Sequence, residues 1–159
     1  MKRIILTSIV LLQMAFLAPC NAHAQADTKT FTRESGYIIR PEFLGAVLAE
    51  FGYQYNPNIQ GSLGFGVEIG LDDGVVMPEF VLGVRAYATE NKWTAFVDYH
   101  IGMLLLTDIY AAITHRFTAG PSYKNLDFGI GVGYAKFEGV GMWGPCINIG
   151  YNFRFTNKK

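Results

Sequence analysis

From Gly36 to Phe155 apolar and polar residues alternate almost one by one. Between 59 and 71, Ile59, Leu63, Phe65, Val67, Ile69 and Leu71 fall on one face, and Gln60, Ser62, Gly64, Gly66, Glu68 and Gly70 on the other. That period of two is the period of a β-strand; a helix distributes its apolar residues every three or four positions. The same pattern sets Val47, Ala49, Phe51, Tyr53 and Tyr55 against Glu50, Gly52 and Gln54, and Trp93, Ala95, Val97, Tyr99 and Ile101 against Thr94, Asp98, His100 and Gly102. It recurs with Leu126, Phe128, Ile130, Val132 and Tyr134 against Asp127, Gly129, Gly131 and Gly133, and in the closing run Pro145 to Phe155. Turn-forming residues punctuate these runs at Asn56-Pro57-Asn58, Asp72-Asp73-Gly74, Glu90-Asn91-Lys92, Tyr123-Lys124-Asn125 and Glu138-Gly139-Val140-Gly141, with softer breaks near Gly45 and Thr107-Asp108.

Seven breaks predict eight strands, at about 36–45, 46–56, 59–71, 75–89, 92–104, 109–123, 125–137 and 142–155. An even number of up-and-down strands places the first beside the last, so the sheet can close. The predicted fold is all-β: an eight-stranded antiparallel up-and-down transmembrane β-barrel with short turns on both sides. The fourth strand is irregular, because Met77, Val81 and Tyr87 share the parity of Glu79 and Arg85.

Volume decides which face turns inward. The apolar face carries most of the aromatic rings, and the interior of an eight-stranded barrel is only just filled by side chains. The other face combines many glycines with Arg40, Glu42, Glu50, Glu68, Glu79, Arg85, Asp98, His100, Arg116, Asp127 and Arg154. One arginine facing lipid at mid-depth costs about 2–4 kcal/mol. Four would cost roughly 8–16 kcal/mol, as much as the whole stability of a domain. The eleven residues are therefore expected inside as an Arg/Glu/Asp network, since charges taken out of water need partners. Lysines gather near turns and the terminus, at Lys92, Lys124, Lys136, Lys158 and Lys159, and Tyr53, Tyr55, Trp93, Tyr123 and Trp143 near strand ends suit interfacial girdles.

The N-terminus changes the picture of location. Lys2 and Arg3 precede an apolar run from Ile4 to about Leu17 and then Ala22-His23-Ala24, the pattern of a cleaved signal peptide over 1–24. Residues 25–35 read as a flexible periplasmic leader, 36–155 as the barrel and 156–159 as a polar tail. An alternative is lipidation of Cys20, although Pro19 stands where a small residue is expected. With Cys20 removed, Cys146 would be the sole cysteine and could form no intramolecular disulfide. The formal charge of zero gives no reason to expect nucleic acid.

The strand and turn Gly52-Tyr53-Gln54-Tyr55-Asn56-Pro57-Asn58, the following Gly61-Ser62-Leu63-Gly64-Phe65-Gly66-Val67 and the closing Gly150-Tyr151-Asn152-Phe153-Arg154-Phe155 resemble the small outer-membrane barrels of the OmpA transmembrane-domain and OmpX type. The resemblance implies an outer-membrane location, outer-membrane lipids as surroundings, and Tyr151, Phe153 and Phe155 as the signal read by the insertion machinery. This chain departs from the family in ending four residues beyond Phe155 and in having short connections where OmpX-like proteins carry long surface loops.

Candidate chemistry is sparse. Lipid A deacylases, which resemble this architecture, use a His/Ser pair with an acid; here His115 is followed by Arg116 and Phe117. Two histidines and one cysteine in the mature chain make no metal-ligand spacing, and the glycines at 129, 131 and 133 lie within a strand rather than before a helix. No catalytic, metal or cofactor-binding residue is expected and no specific protein partner is indicated. The reading is a non-enzymatic outer-membrane barrel with a structural, barrier or weak binding role. Alternatives are a narrow channel for small solutes or ions, a lipid-modifying outer-membrane enzyme, and a soluble periplasmic barrel holding an apolar ligand.

Overall fold

The computed structural model describes residues 31–69, 76–105, 111–137 and 139–155. The expected signal peptide, most of the leader, the break at Thr107-Asp108, the Asp72-Asp73-Gly74 turn and the polar tail lie outside the described residues. The strands are β1 (Gly36–Leu44), β2 (Val47–Asn56), β3 (Ile59–Ile69), β4 (Val76–Tyr87), β5 (Trp93–Leu105), β6 (Ala111–Tyr123), β7 (Leu126–Phe137), β8 (Val140–Tyr151) and a short β9 (Phe153–Phe155). Each of β1 to β7 pairs antiparallel with the next, and β1 also pairs with β8 and β9, so the sheet closes. The fold is a closed, eight-staved antiparallel up-and-down β-barrel.

β8 and β9 are one stave with a break at Asn152. Both keep the same register against β1, with Glu42 opposite Gly150 and Ile39 opposite Phe153. Continuing that register sets Pro41 opposite Tyr151, and proline has no N–H to give the ladder. Asn152 keeps its bond to the other neighbour, its amide donating to the Asn125 carbonyl at 2.8 Å.

The registers fix the size of the barrel. From Ile38 the paired residues run through Gly52, Ser62, Gly83, His100, Arg116 and Gly133 to Gly144. Gly144 lies four residues before Asn148, whose partner on β1 is Leu44, six residues beyond Ile38. One circuit thus advances the register by ten residues. With eight staves that stagger tilts the strands by about 40° and sets a backbone radius of about 8 Å, an interior that side chains fill.

The turns follow local chemistry. Asn56 folds its side chain back so that Oδ1 accepts from the amides of Asn58 and Ile59 at 2.8 and 2.9 Å. Gly45 turns the β1–β2 hairpin at φ 76° and Gly139 the β7–β8 hairpin at φ 86°, backbone angles that favour glycine. Phe137 pairs with Val140, so β8 begins two residues before the boundary expected from sequence. Gly141, a residue type that marks turns more often than strand starts, is already in the ladder opposite Lys136.

Burial is inverted relative to a soluble protein. Phe51, Leu63, Ile130, Trp93 and Trp143 stand outward, 61–75% exposed, while Arg40, Glu50, Glu79 and Asp127 inside are fully buried. Apolar residues do enter the interior near the Gly45 end, where Leu44, Ala46, Leu48 and Val81 cluster. The irregular parity of β4 thus has a structural meaning: Val81 belongs to that apolar cap and Tyr87 to the polar interior at the opposite end.

Candidate functional site

Strand pairing brings the interior charges together. Arg40 on β1 lies directly opposite Glu50 on β2, and Arg85 on β4 opposite Asp98 on β5. The inward parity that sequence assigns to these positions therefore faces each cation with an anion on the next stave. Arg40 pairs with Glu50 and, at 2.8 Å, with Glu42. Arg85 pairs with Glu42 at 2.7 Å and with Asp98 and Asp127. His100 Nε2 lies 2.7 Å from Glu50 Oε1, and Ser62 Oγ donates to Glu50 Oε2 at 2.7 Å. Two guanidiniums, four carboxylates and one imidazole so form one buried cluster across five staves. Asn148 joins it from β8, donating to Asp98 and Thr118, each at 3.1 Å.

A second cluster sits toward the Gly45 end. Arg116 binds Glu79 at 2.5 Å and Glu68 at 2.8 Å, and Thr114 donates to Glu79 at 2.6 Å. Glu68 is the most exposed of these groups, with about a third of its side chain open. Arg154, at the other end, donates to the side-chain carbonyl of Asn125 rather than to a carboxylate. All eleven residues singled out in the sequence turn inward, in two ion-pair clusters plus Arg154.

Besides the neutral partners Ser62, Thr114, Thr118 and Asn148, sequence reading missed Phe96, Tyr87, Asn152 and Arg33. Phe96 lies inside, 1% exposed, with the Arg85 guanidinium 4.6 Å from its ring centroid. Tyr87 and Asn152 both reach Asp127, at 3.3 and 2.7 Å. Arg33, placed by sequence in the flexible leader, is buried: it donates to the carbonyls of Asn91 (2.9 Å), Thr89 and Lys124 and to Ser122 Oγ, and lies over the Tyr87 ring. Phe96, Tyr87 and Asn152 share the inward parity of their strands, a signal available in sequence. Arg33 precedes the first strand and carries no such signal.

The chemistry these groups can do is limited by how they are engaged. Ser62 and His100 both turn to Glu50, so the imidazole is not positioned to take the serine proton. Glu42, Glu50 and His100 present ligand atoms within 4.8 Å of one another. Arg40 already occupies the centre of that group, bonded to both carboxylates, so a metal ion would have to displace a guanidinium. Outside the barrel, His115 Nδ1 and the Tyr99 hydroxyl are 2.7 Å apart. Tyr151 and Phe153 are half-buried and Phe155 exposed, on the stave that closes the barrel.

No protein-family model matches this chain, and no curated protein does. A solved structure similar to it is the N-terminal β-barrel domain of Pseudomonas aeruginosa OprF, at 13% identity and a TM-score of 0.44, covering 75% of this chain and 96% of that one. From its own ladders and burial, the protein is a small closed antiparallel barrel of eight staves with an ionic interior and an apolar outer wall.

Proposed function

We propose that this protein is a non-enzymatic barrel of a Gram-negative outer membrane, with a structural or barrier role and a lumen held shut by its own ion pairs. The reading rests on one observation: fully buried arginines and carboxylates inside a wall whose Leu, Ile, Val, Phe and Trp side chains stand exposed. In water that wall would be an apolar patch far larger than soluble monomers tolerate. In a bilayer it is the apolar band that the hydrocarbon covers. Tyr151, Phe153 and Phe155 are the proposed insertion signal, and 1–24 the signal peptide that delivers the chain to the periplasm.

The test is gel mobility of the membrane fraction with and without boiling, together with far-UV circular dichroism of detergent-refolded protein. A heat-modifiable outer-membrane band with a β-rich spectrum is expected. A soluble periplasmic protein indifferent to boiling would overturn the reading. Planar-bilayer recording addresses the channel alternative: the packed clusters around Arg40, Arg85 and Arg116 lead to no resolved unitary conductance, and a stable ohmic step would replace the barrier role with conduction.

A further inference from the structure

The outer wall of the described strands is free of Lys, Arg, Asp and Glu with one exception. Arg40, Glu42, Glu50, Glu68, Glu79, Arg85, Asp98, Arg116, Asp127 and Arg154 all take the inward parity; Lys136 on β7 takes the outward one and is exposed. Of the two histidines on described strands, only His115 faces outward. These two outward bases are neighbours. His115 pairs across the β6–β7 ladder with Tyr134, and Lys136 is the next outward residue after Tyr134. That diagonal relation spans about 7–8 Å between backbones, within reach of a lysine side chain.

The surroundings are organised. The Tyr99 hydroxyl lies 2.7 Å from His115 Nδ1. A phenol donating to Nδ1 leaves the imidazole proton on Nε2, free to donate outward. Tyr134 stacks against Trp143 with centroids 4.7 Å apart, and Trp143 is 74% exposed. Lys136, Tyr134 and Trp143 lie within four residues of the 138–139 turn, the level at which aromatic girdles meet lipid headgroups, while His115 lies four residues into β6 and Tyr99, at the midpoint of β5, supports it from below.

We propose that Lys136 and the Nε2–H of His115, oriented by Tyr99, bind the phosphate of a phosphorylated glycolipid headgroup, with Tyr134 and Trp143 as the platform for its sugar ring. The inference rests on the membrane reading above. Charge complementarity selects the occupant: among the described residues the wall's one cation and its one outward imidazole lie on adjacent strands, diagonal to each other, a spacing that lets one anion accept from both. The exposed face of Trp143, with half-buried Tyr134 beside it, suits a sugar ring better than a glycerol backbone. The simpler account, in which Lys136 snorkels to water and the Tyr99–His115 bond only satisfies two polar groups, gives no preference among headgroups.

The experiment uses the full mature chain in phosphatidylcholine nanodiscs, with diphosphoryl lipid A, its dephosphorylated form and phosphatidylglycerol as probes. Native mass spectrometry reads the lipid retained per barrel. Diphosphoryl lipid A is expected to be retained about tenfold over the dephosphorylated form, the scale of one charge-assisted contact. Lys136→Gln should remove most of that preference and Tyr99→Phe part of it, with heat-modifiable mobility unchanged because all these side chains point away from the interior. Equal retention of all three probes, or a preference unaffected by Lys136→Gln, overturns the site. Phosphatidylglycerol retained as well as lipid A overturns the sugar platform. A chain that fails to insert overturns the membrane reading itself, whereas an inserted barrel without preference overturns only this site.

Discussion

Arg85 stands over the ring of Phe96, its guanidinium carbon 4.6 Å from the centroid, while its two terminal nitrogens bind Glu42, Asp98 and Asp127. One side chain thus holds carboxylates from β1, β5 and β7, and the ring beneath it excludes water from the cation. Replacing it leaves three buried anions without their main partner. Arg85→Met is expected to destabilise the barrel by about 3–5 kcal/mol, the cost of breaking a buried pair from one side. Arg85→Lys should recover only a small part, since an ammonium lacks the planar fork that reaches several carboxylates. Urea unfolding in detergent micelles measures both, and a Met variant within about 1 kcal/mol of the native barrel would contradict the central role of Arg85.

Arg116 and Glu79 should behave as a coupled pair. Either Arg116→Met or Glu79→Leu alone strands a buried charge, whereas the double replacement removes both. The double variant is expected to lose clearly less than the sum of the singles, with a coupling of about 1–3 kcal/mol in a double-mutant cycle. Additive losses would mean that the bond contributes little beyond packing.

Two strand glycines, half-buried Gly131 and exposed Gly144, give opposite expectations for the same substitution. A Cβ at Gly131 would lie 1.8 Å from the Phe117 carbonyl oxygen, while one at Gly144 would meet nothing within 4 Å. Gly131→Ala forces apart the β6–β7 ladder and should sharply reduce the heat-modifiable folded fraction. Gly144→Ala should leave it unchanged. Equal yields from the two would contradict the strand approach.

The two tryptophans mark opposite rims of the apolar band. Trp93 stacks with Tyr123 near the end bearing the 124–125 turn, and Trp143 with Tyr134 near the 138–139 turn; both face outward. In bilayers, bromine carried high on the acyl chain, close to the headgroup, should quench each more strongly than bromine at the chain end. Stronger quenching from the chain end would place the girdles at the wrong depth.

The strands were legible because a one-sided wall writes period two into the sequence, and the charges were legible because arginine facing lipid is too costly. Exceptions to the binary pattern were harder to read. Phe96 shares the parity of Asp98 and His100, which marks it as inward, but its apolar ring is of the kind that otherwise fills the outer wall. Arg33 carries no strand periodicity, so its burial depends on an interior formed by β4 and β6, far along the chain. The distinctive place of Lys136 on the outer wall was hidden by its closeness to a turn, where lysine is unremarkable.

Every ladder but one joins strands adjacent in sequence. The exception is the seam between β1 and the β8–β9 stave, where Tyr37 meets Phe155 and Leu44 meets Asn148, more than a hundred residues apart. Hairpins can zip along the chain with little loop entropy at each step; the seam alone requires the two ends of the domain to find each other. Pro41 sits in that same seam and leaves it a bond short. The joint expected to form last in this protein is thereby also a bond short, and a lengthwise opening of the cylinder would start there.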